Sequence, residues 1–109
     1  MAKDKVWQYL QKVLAQDQVA HLTLIDPDPL NQSPEEAAKI AKLAMDAGSD
    51  AIMVGGSTAQ GILDKTILAI KKAVKKPVIL FPGNVNGVSP HADAIFFMSL
   101  FNSTNPYFL

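Results

Sequence analysis

Short apolar runs alternate along this chain with longer stretches whose apolar residues recur at helical spacing. The runs His21-Leu22-Thr23-Leu24-Ile25, Ala51-Ile52-Met53-Val54, Pro77-Val78-Ile79-Leu80-Phe81 and Ala94-Ile95-Phe96-Phe97-Met98 read as strands. Ahead of the first, Val6, Leu10, Val13 and Leu14 fall on one helical face with Lys5, Gln8, Gln11 and Lys12 between them. Residues 1–20 are thus a helical segment preceding strand 1. The first strand must stop at Asp26-Pro27-Asp28-Pro29, because each proline lacks an amide hydrogen and drives its predecessor out of helical geometry.

Ser33-Pro34-Glu35-Glu36 predicts a helix start. Serine caps, proline suits the first turn, and Glu36 takes the reciprocal position of a capping box. Ala37, Ile40, Ala41, Ala44 and Ala47 then form a small-residue face for close packing on a sheet, and Gly48 is placed to end the helix in left-handed geometry. A third helix is predicted from Ala59 to Val74, with Ile62, Leu63, Ile67 and Ile70 inward and Lys65, Lys71 and Lys72 toward water. Pro82-Gly83-Asn84 breaks the third strand, and a brief connection through Ser89-Pro90-His91-Ala92-Asp93 leads to the fourth.

The strands are continuously apolar, which predicts cover on both faces of the sheet. Two of the three connections between strands are long enough for a crossover helix. The fold class is therefore α/β, a parallel βα repeat of four strands in a single domain over residues 1–109. Two architectures fit: a small doubly wound sheet, or the amino-terminal half of a (βα)8 TIM barrel, whose full length is about 250 residues. Both place ligands at the carboxyl ends of the strands.

Composition narrows the function classes. Ten basic and ten acidic residues cancel, which removes any electrostatic pull toward nucleic acid or an anionic membrane. The absence of cysteine excludes disulfides, thiolate zinc sites and thiol nucleophiles. No apolar run reaches bilayer length, and the amino terminus is polar, so a cytoplasmic protein without a membrane span is expected.

Candidate chemistry collects at the strand ends. Asp26 directly follows Leu24-Ile25, where a carboxylate can ligate a hard cation such as magnesium; taken by itself, a turn-initiating aspartate before proline is the plainer explanation. Asp28 reads as a turn or capping residue. Gly55 and Gly56 let backbone approach an anion, the following helix offers free amides to phosphate, and Ser57 or Thr58 can add a hydroxyl to a metal. The plainer alternative is a glycine turn with Thr58 as helix cap. No Gly-Lys pair precedes the hydroxyls, so this is not a Walker loop. His21 and His91 lie at the wrong ends of their strands for chemistry and read as structural, and Phe81, Phe96 and Phe97 read as core.

Taken together, HLTLIDPD (21–28), AGSDAIMVGGST (47–58) and PVILFPGNVNGVSPHADAIFFMSLFNSTNPYFL (77–109) resemble the geranylgeranylglyceryl phosphate synthase family, in its branch whose first strand reads TLIDPD. The resemblance implies a magnesium-dependent prenyltransferase on a modified βα barrel. Its partners would be geranylgeranyl diphosphate and the 3-hydroxyl of sn-glycerol 1-phosphate, in ether phospholipid biosynthesis. The family's metal ligands map onto Asp26 and Ser57, with Thr58 a substitute for Ser57, and Gly55, Gly56 and Thr58 would lie against the diphosphate. Leu24 stands where the other branch carries a lysine, so a basic substrate contact is absent there.

Family members are full barrels. The glycerol phosphate site and the proposed catalytic glutamate belong to later strands, so no catalytic residue is expected within these residues and the isolated chain is expected to be inactive. Half a barrel also leaves two sheet edges and an apolar face open, which predicts self-association. Two other readings share the pattern: a non-catalytic, self-associating half-barrel that binds phosphate, and another TIM-barrel enzyme acting on a sugar phosphate.

Overall fold

The computed structural model describes residues 4–27, 32–55, 62–83 and 88–96. Seven elements follow in order: α1 (Lys5–Asp17), β1 (Leu22–Ile25), α2 (Pro34–Asp46), β2 (Ala51–Gly55), α3 (Leu63–Ala73), β3 (Val78–Phe81) and β4 (Ala94–Ile95). The strands form one sheet in the order β1-β2-β3-β4, every neighbouring pair parallel.

Local chemistry sets the element ends. The Ser33 hydroxyl accepts the Glu36 amide at 3.1 Å, with Pro34 in the first turn and Glu35 and Glu36 favourably placed against the helix dipole. Gly48 follows the last turn of α2 with φ of 107°, a conformation closed to most side chains. The last turn of α3 carries Lys71 and Lys72, which suits the negative end of its dipole.

Helices α2 and α3 pack on the same face of the sheet and against each other. Ala37 and Ala41 of α2 and Leu63, Ile67 and Ile70 of α3 share one core with Ile25, Ile52, Val54, Val78 and Leu80. Small alanines bring the α2 backbone close, and the larger isoleucines of α3 fill the remaining depth. Two successive crossover helices on one face are the arrangement of a βα barrel wall; a doubly wound sheet needs helices on both faces.

Three expectations are corrected. The α2 face shifts by part of a turn. Ala37, Ala41, Ala44 and Met45 point inward, while Ile40 (40% exposed) sits on the flank of that stripe and Ala47 is exposed. Second, among the described residues only one sheet face is covered by crossover helices. β2 is buried along most of its length because it has a strand on each side, whereas Leu24 remains 52% exposed. Third, Phe81 and Phe96 are exposed by 47% and 38%, because they project from the face opposite α2 and α3. Phe97, the predicted extension of β4 to Met98 and the predicted start of the third helix at Ala59 lie outside the described residues.

The amino ends of the strands are held by polar contacts. Ser49, buried, donates toward the His21 and Ala51 carbonyls and receives the Thr23 hydroxyl at 2.9 Å, and Lys76 donates to the Ser49 carbonyl at 3.0 Å. Helix α1 joins this end through Tyr9, whose hydroxyl donates to the Asp50 carbonyl at 2.7 Å. His21 takes part through its backbone and through an Nδ1 contact of 3.3 Å with Ser49 Oγ, the structural role read for it. Among the described residues no helix is long and apolar enough to cross a membrane.

Candidate functional site

Strand register decides which side chains meet at the carboxyl edge. Ile25 pairs with Val54, so the next residues along, Asp26 and Gly55, lie side by side where β1 and β2 finish. Side chains alternate along a strand. Ile25 points into the helix-covered core, and Asp26 therefore projects from the opposite face, in line with Leu24. Gly55 pairs with Phe81, and Phe96 follows one step beyond the Leu80–Ile95 pair. The final row of this face thus reads Asp26, Gly55, Phe81, Phe96: a carboxylate, a gap and an aromatic pair. The two rings meet edge to face, with centroids 6.1 Å apart and planes at 74°. The row beneath it is Leu24, Met53, Ile79 and Ala94, wholly apolar.

The carboxylate leans across its neighbour. A Cβ built on Gly55 would lie 3.1 Å from Asp26 Oδ1 and 3.4 Å from its Cγ. Asp26 is solvent-exposed and forms no ion pair among the described residues. Pro27 behind it is buried, which anchors the turn that carries the carboxylate.

The donor chemistry fits a hard cation of modest protein demand. Magnesium accepts one or two protein oxygens and completes its shell with water and phosphate oxygens. An exposed carboxylate at a strand end, beside a residue without a side chain, meets that requirement. The described residues hold no cluster of three or more acidic, histidine or cysteine side chains of the kind an all-protein cage would need.

Of the predicted site residues, the structure brings Asp26 and Gly55 together. Gly56, Ser57 and Thr58 lie outside the described residues, as does Asp28. A groove of about 890 Å³ runs instead along the open face of β3 and β4 beneath α1, lined by Trp7, Tyr9, Lys76, Ile79, Ala94 and Phe96 among others. Neither Asp26 nor Gly55 lines it, so this groove and the candidate site lie apart.

Two features escaped the sequence reading. One is the aromatic pair at the carboxyl edge, whose sequence signal is only that Phe81 and Phe96 fall within apolar runs. The other is a recurrent aspartate at the opposite edge, announced by the repeated Asp-Ala-Ile of residues 50–52 and 93–95.

The profile of the PcrB family matches residues 12–109. The chain belongs to the PcrB family. It is 53% identical over 106 residues to the geranylgeranylglyceryl phosphate synthase of Methanothermobacter thermautotrophicus, an alignment spanning 96% of this chain and 42% of that protein. It is 57% identical over 101 residues to the enzyme of the same name from Methanococcoides burtonii, spanning 91% of this chain and 40% of that one. Solved structures agree. The (S)-3-O-geranylgeranylglyceryl phosphate synthase of Thermoplasma acidophilum, in complex with its substrate sn-glycerol-1-phosphate, superposes with a TM-score of 0.79 at 45% identity, over 92% of this chain and 41% of that one. The wild-type protein from Thermoplasma volcanium gives 0.77 at 50% identity, over 91% and 41%. The chain thus spans about 40% of the length of the curated relatives it matches. The sheet, with α2 and α3 on one face, corresponds to a contiguous part of the family's barrel wall.

Proposed function

We propose that these residues form the amino-terminal, metal- and diphosphate-binding half of a geranylgeranylglyceryl phosphate synthase. The reaction joins the geranylgeranyl group of its diphosphate to the 3-hydroxyl of sn-glycerol 1-phosphate. The observation that carries the reading is Asp26 at the carboxyl edge beside Gly55, in a chain more than half identical to two synthases.

Asp26 would hold the magnesium ion, with Ser57 as the second protein oxygen and Thr58 its substitute. Bound there, the metal supplies charge neutralisation to the departing diphosphate. The backbone of Gly55 and Gly56 lets the diphosphate approach closely, and the side chain of Thr58 adds a hydroxyl donor. Leu24 brings no positive charge to the row below Asp26, so this half contributes no basic side chain at that position. Nothing in it is assigned to take the proton of the attacking glyceryl hydroxyl. These 109 residues alone should accordingly bind the donor and turn over little.

Calorimetric titration of geranylgeranyl diphosphate in magnesium tests this directly. Binding should vanish with a chelator and in Asp26→Ala. Equal binding by wild type and Asp26→Ala would overturn the metal assignment, and steady product formation with sn-glycerol 1-phosphate would overturn the expected inactivity.

The open sheet face favours one further reading for the chain on its own. Leu24, Phe81 and Phe96 leave apolar surface exposed beside the edges of β1 and β4, which have no further strand partner among the described residues. A second copy offers the matching apolar face and the complementary parallel edge, so the isolated chain should self-associate. Light scattering that returns the monomer mass of 11.8 kDa at micromolar concentration would exclude it.

A further inference from the structure

Two described glycines are glycine for different reasons. Gly48 has φ of 107° and nothing within 4 Å of where a Cβ would sit, so its backbone conformation, not crowding, excludes other residues. Gly55 is the reverse. Its φ lies outside the left-handed range, so alanine could adopt the same backbone. What a side chain there would crowd is the Asp26 carboxylate, with Oδ1 at 3.1 Å, Cγ at 3.4 Å and Cβ at 3.8 Å from the added carbon.

We propose that Gly55 is a positioning residue for the metal site, its missing Cβ being the space in which the Asp26 carboxylate is seated over the end of β2. The inference rests on the reading of Asp26 as a metal ligand and assigns Gly55 a task distinct from any backbone contact with phosphate. A methyl group at Gly55 would push Oδ1 away by a few tenths of an ångström. Because Asp26 is exposed, it can yield by rotating, and the chain would still fold. The metal is less forgiving: magnesium demands near-octahedral geometry at about 2.0–2.1 Å, with ligand distances held to within about 0.2 Å. A small shift that stability tolerates is therefore large for coordination.

The test is titration of Mn2+ alone into the full 109-residue chain, followed by electron paramagnetic resonance, for wild type, Gly55→Ala, Asp26→Ala and the double variant. Gly55→Ala should weaken the Asp26-dependent binding by roughly tenfold, the effect typical of losing a residue that orients a ligand. In the Asp26→Ala background it should change nothing. Wild-type affinity in Gly55→Ala overturns this inference and leaves the metal assignment standing. Absence of any Asp26-dependent binding in wild type removes the metal assignment and this inference with it. Should Gly55→Ala fail to fold, the double variant decides. Recovery of the fold when the carboxylate is gone supports the steric seat, and continued failure overturns it.

Discussion

Asp50 grips His21 at two points: its Oδ2 accepts the His21 amide at 2.8 Å, and its own amide donates to the His21 carbonyl at 2.7 Å. Asp93 repeats the arrangement on Val78, accepting the amide on Oδ2 at 2.9 Å and donating to the carbonyl at 2.9 Å. Each aspartate stands immediately before an Ala-Ile pair that opens a strand. In a parallel sheet a slip of one residue turns every side chain to the wrong face. Locking both backbone groups of one residue fixes the register where β1 meets β2 and where β3 meets β4. The candidate site and the register locks thus lie at opposite ends of the strands, the arrangement expected of barrel strands.

Asp93 also pairs with Lys71 at 2.7 Å, and substitution separates the two roles. The ion pair is about one-third exposed on each side and is worth about 0.5 kcal/mol. The Val78 amide opens a fully buried residue, and a charged acceptor for such a group contributes about 2 kcal/mol. Asp93→Ala should therefore destabilise by about 2 kcal/mol, and Lys71→Met by much less. Urea unfolding of both variants checks the order, and equal losses would assign the stability to the ion pair.

Thr66 is almost fully buried on α3, and its hydroxyl has no hydrogen-bond partner among the described residues. A buried hydroxyl without a partner costs about 1–3 kcal/mol relative to solvent. Thr66→Val exchanges it for a methyl group of nearly the same shape and should raise stability by about 1 kcal/mol. Thermal unfolding reads the sign. A lower midpoint would mean that the hydroxyl is satisfied after all.

How far the sequence reading reached follows from the range of each interaction. The Ser33 cap binds an amide three residues away, and Gly48 answers to its own φ; both were visible in the order of residues. The inward faces of α2 and α3 followed from helical periodicity, except on the flank, where Ile40 depends on what neighbours it. The bracket residues were missed because their partners lie 29 and 15 residues away, and only strand register brings them together. Asp26 stood out as a carboxylate at a strand end. That it leans on Gly55 required knowing that Ile25 pairs with Val54. Phe81 and Phe96 were read as core because aromatic residues in apolar runs usually are; among the described residues their face carries no crossover helix.

Gly48 offers a clean test of conformational need. Its φ of 107° with open space around it means that a side chain would be strained without being crowded. Gly48→Ala should destabilise by about 1–2 kcal/mol, the cost of placing an L-residue in left-handed geometry. Denaturant unfolding measures it, and a neutral result would show that the turn into Ser49 relaxes freely.

Tyr9 supplies the pH dependence. Burial, and secondarily the negative charge of Asp50, raise its phenol above the ordinary value of 10.0. The folded chain therefore holds the phenolic proton more tightly than the unfolded chain. Above pH 10 the unfolded state loses protons first, so it binds fewer, and stability falls as pH rises. The contribution is complete below the unfolded value and disappears as pH passes through the higher, folded one. In structural terms the hydroxyl that donates to the Asp50 carbonyl can no longer donate once ionised, and α1 loses its tether to the amino ends of the strands. Tyr9→Phe should cost about 1 kcal/mol at neutral pH and should flatten the alkaline decline. Unfolding midpoints of both proteins, stepped from neutral to about pH 11, should converge with rising pH. A gap that stays constant across that range would remove Tyr9 from the titration.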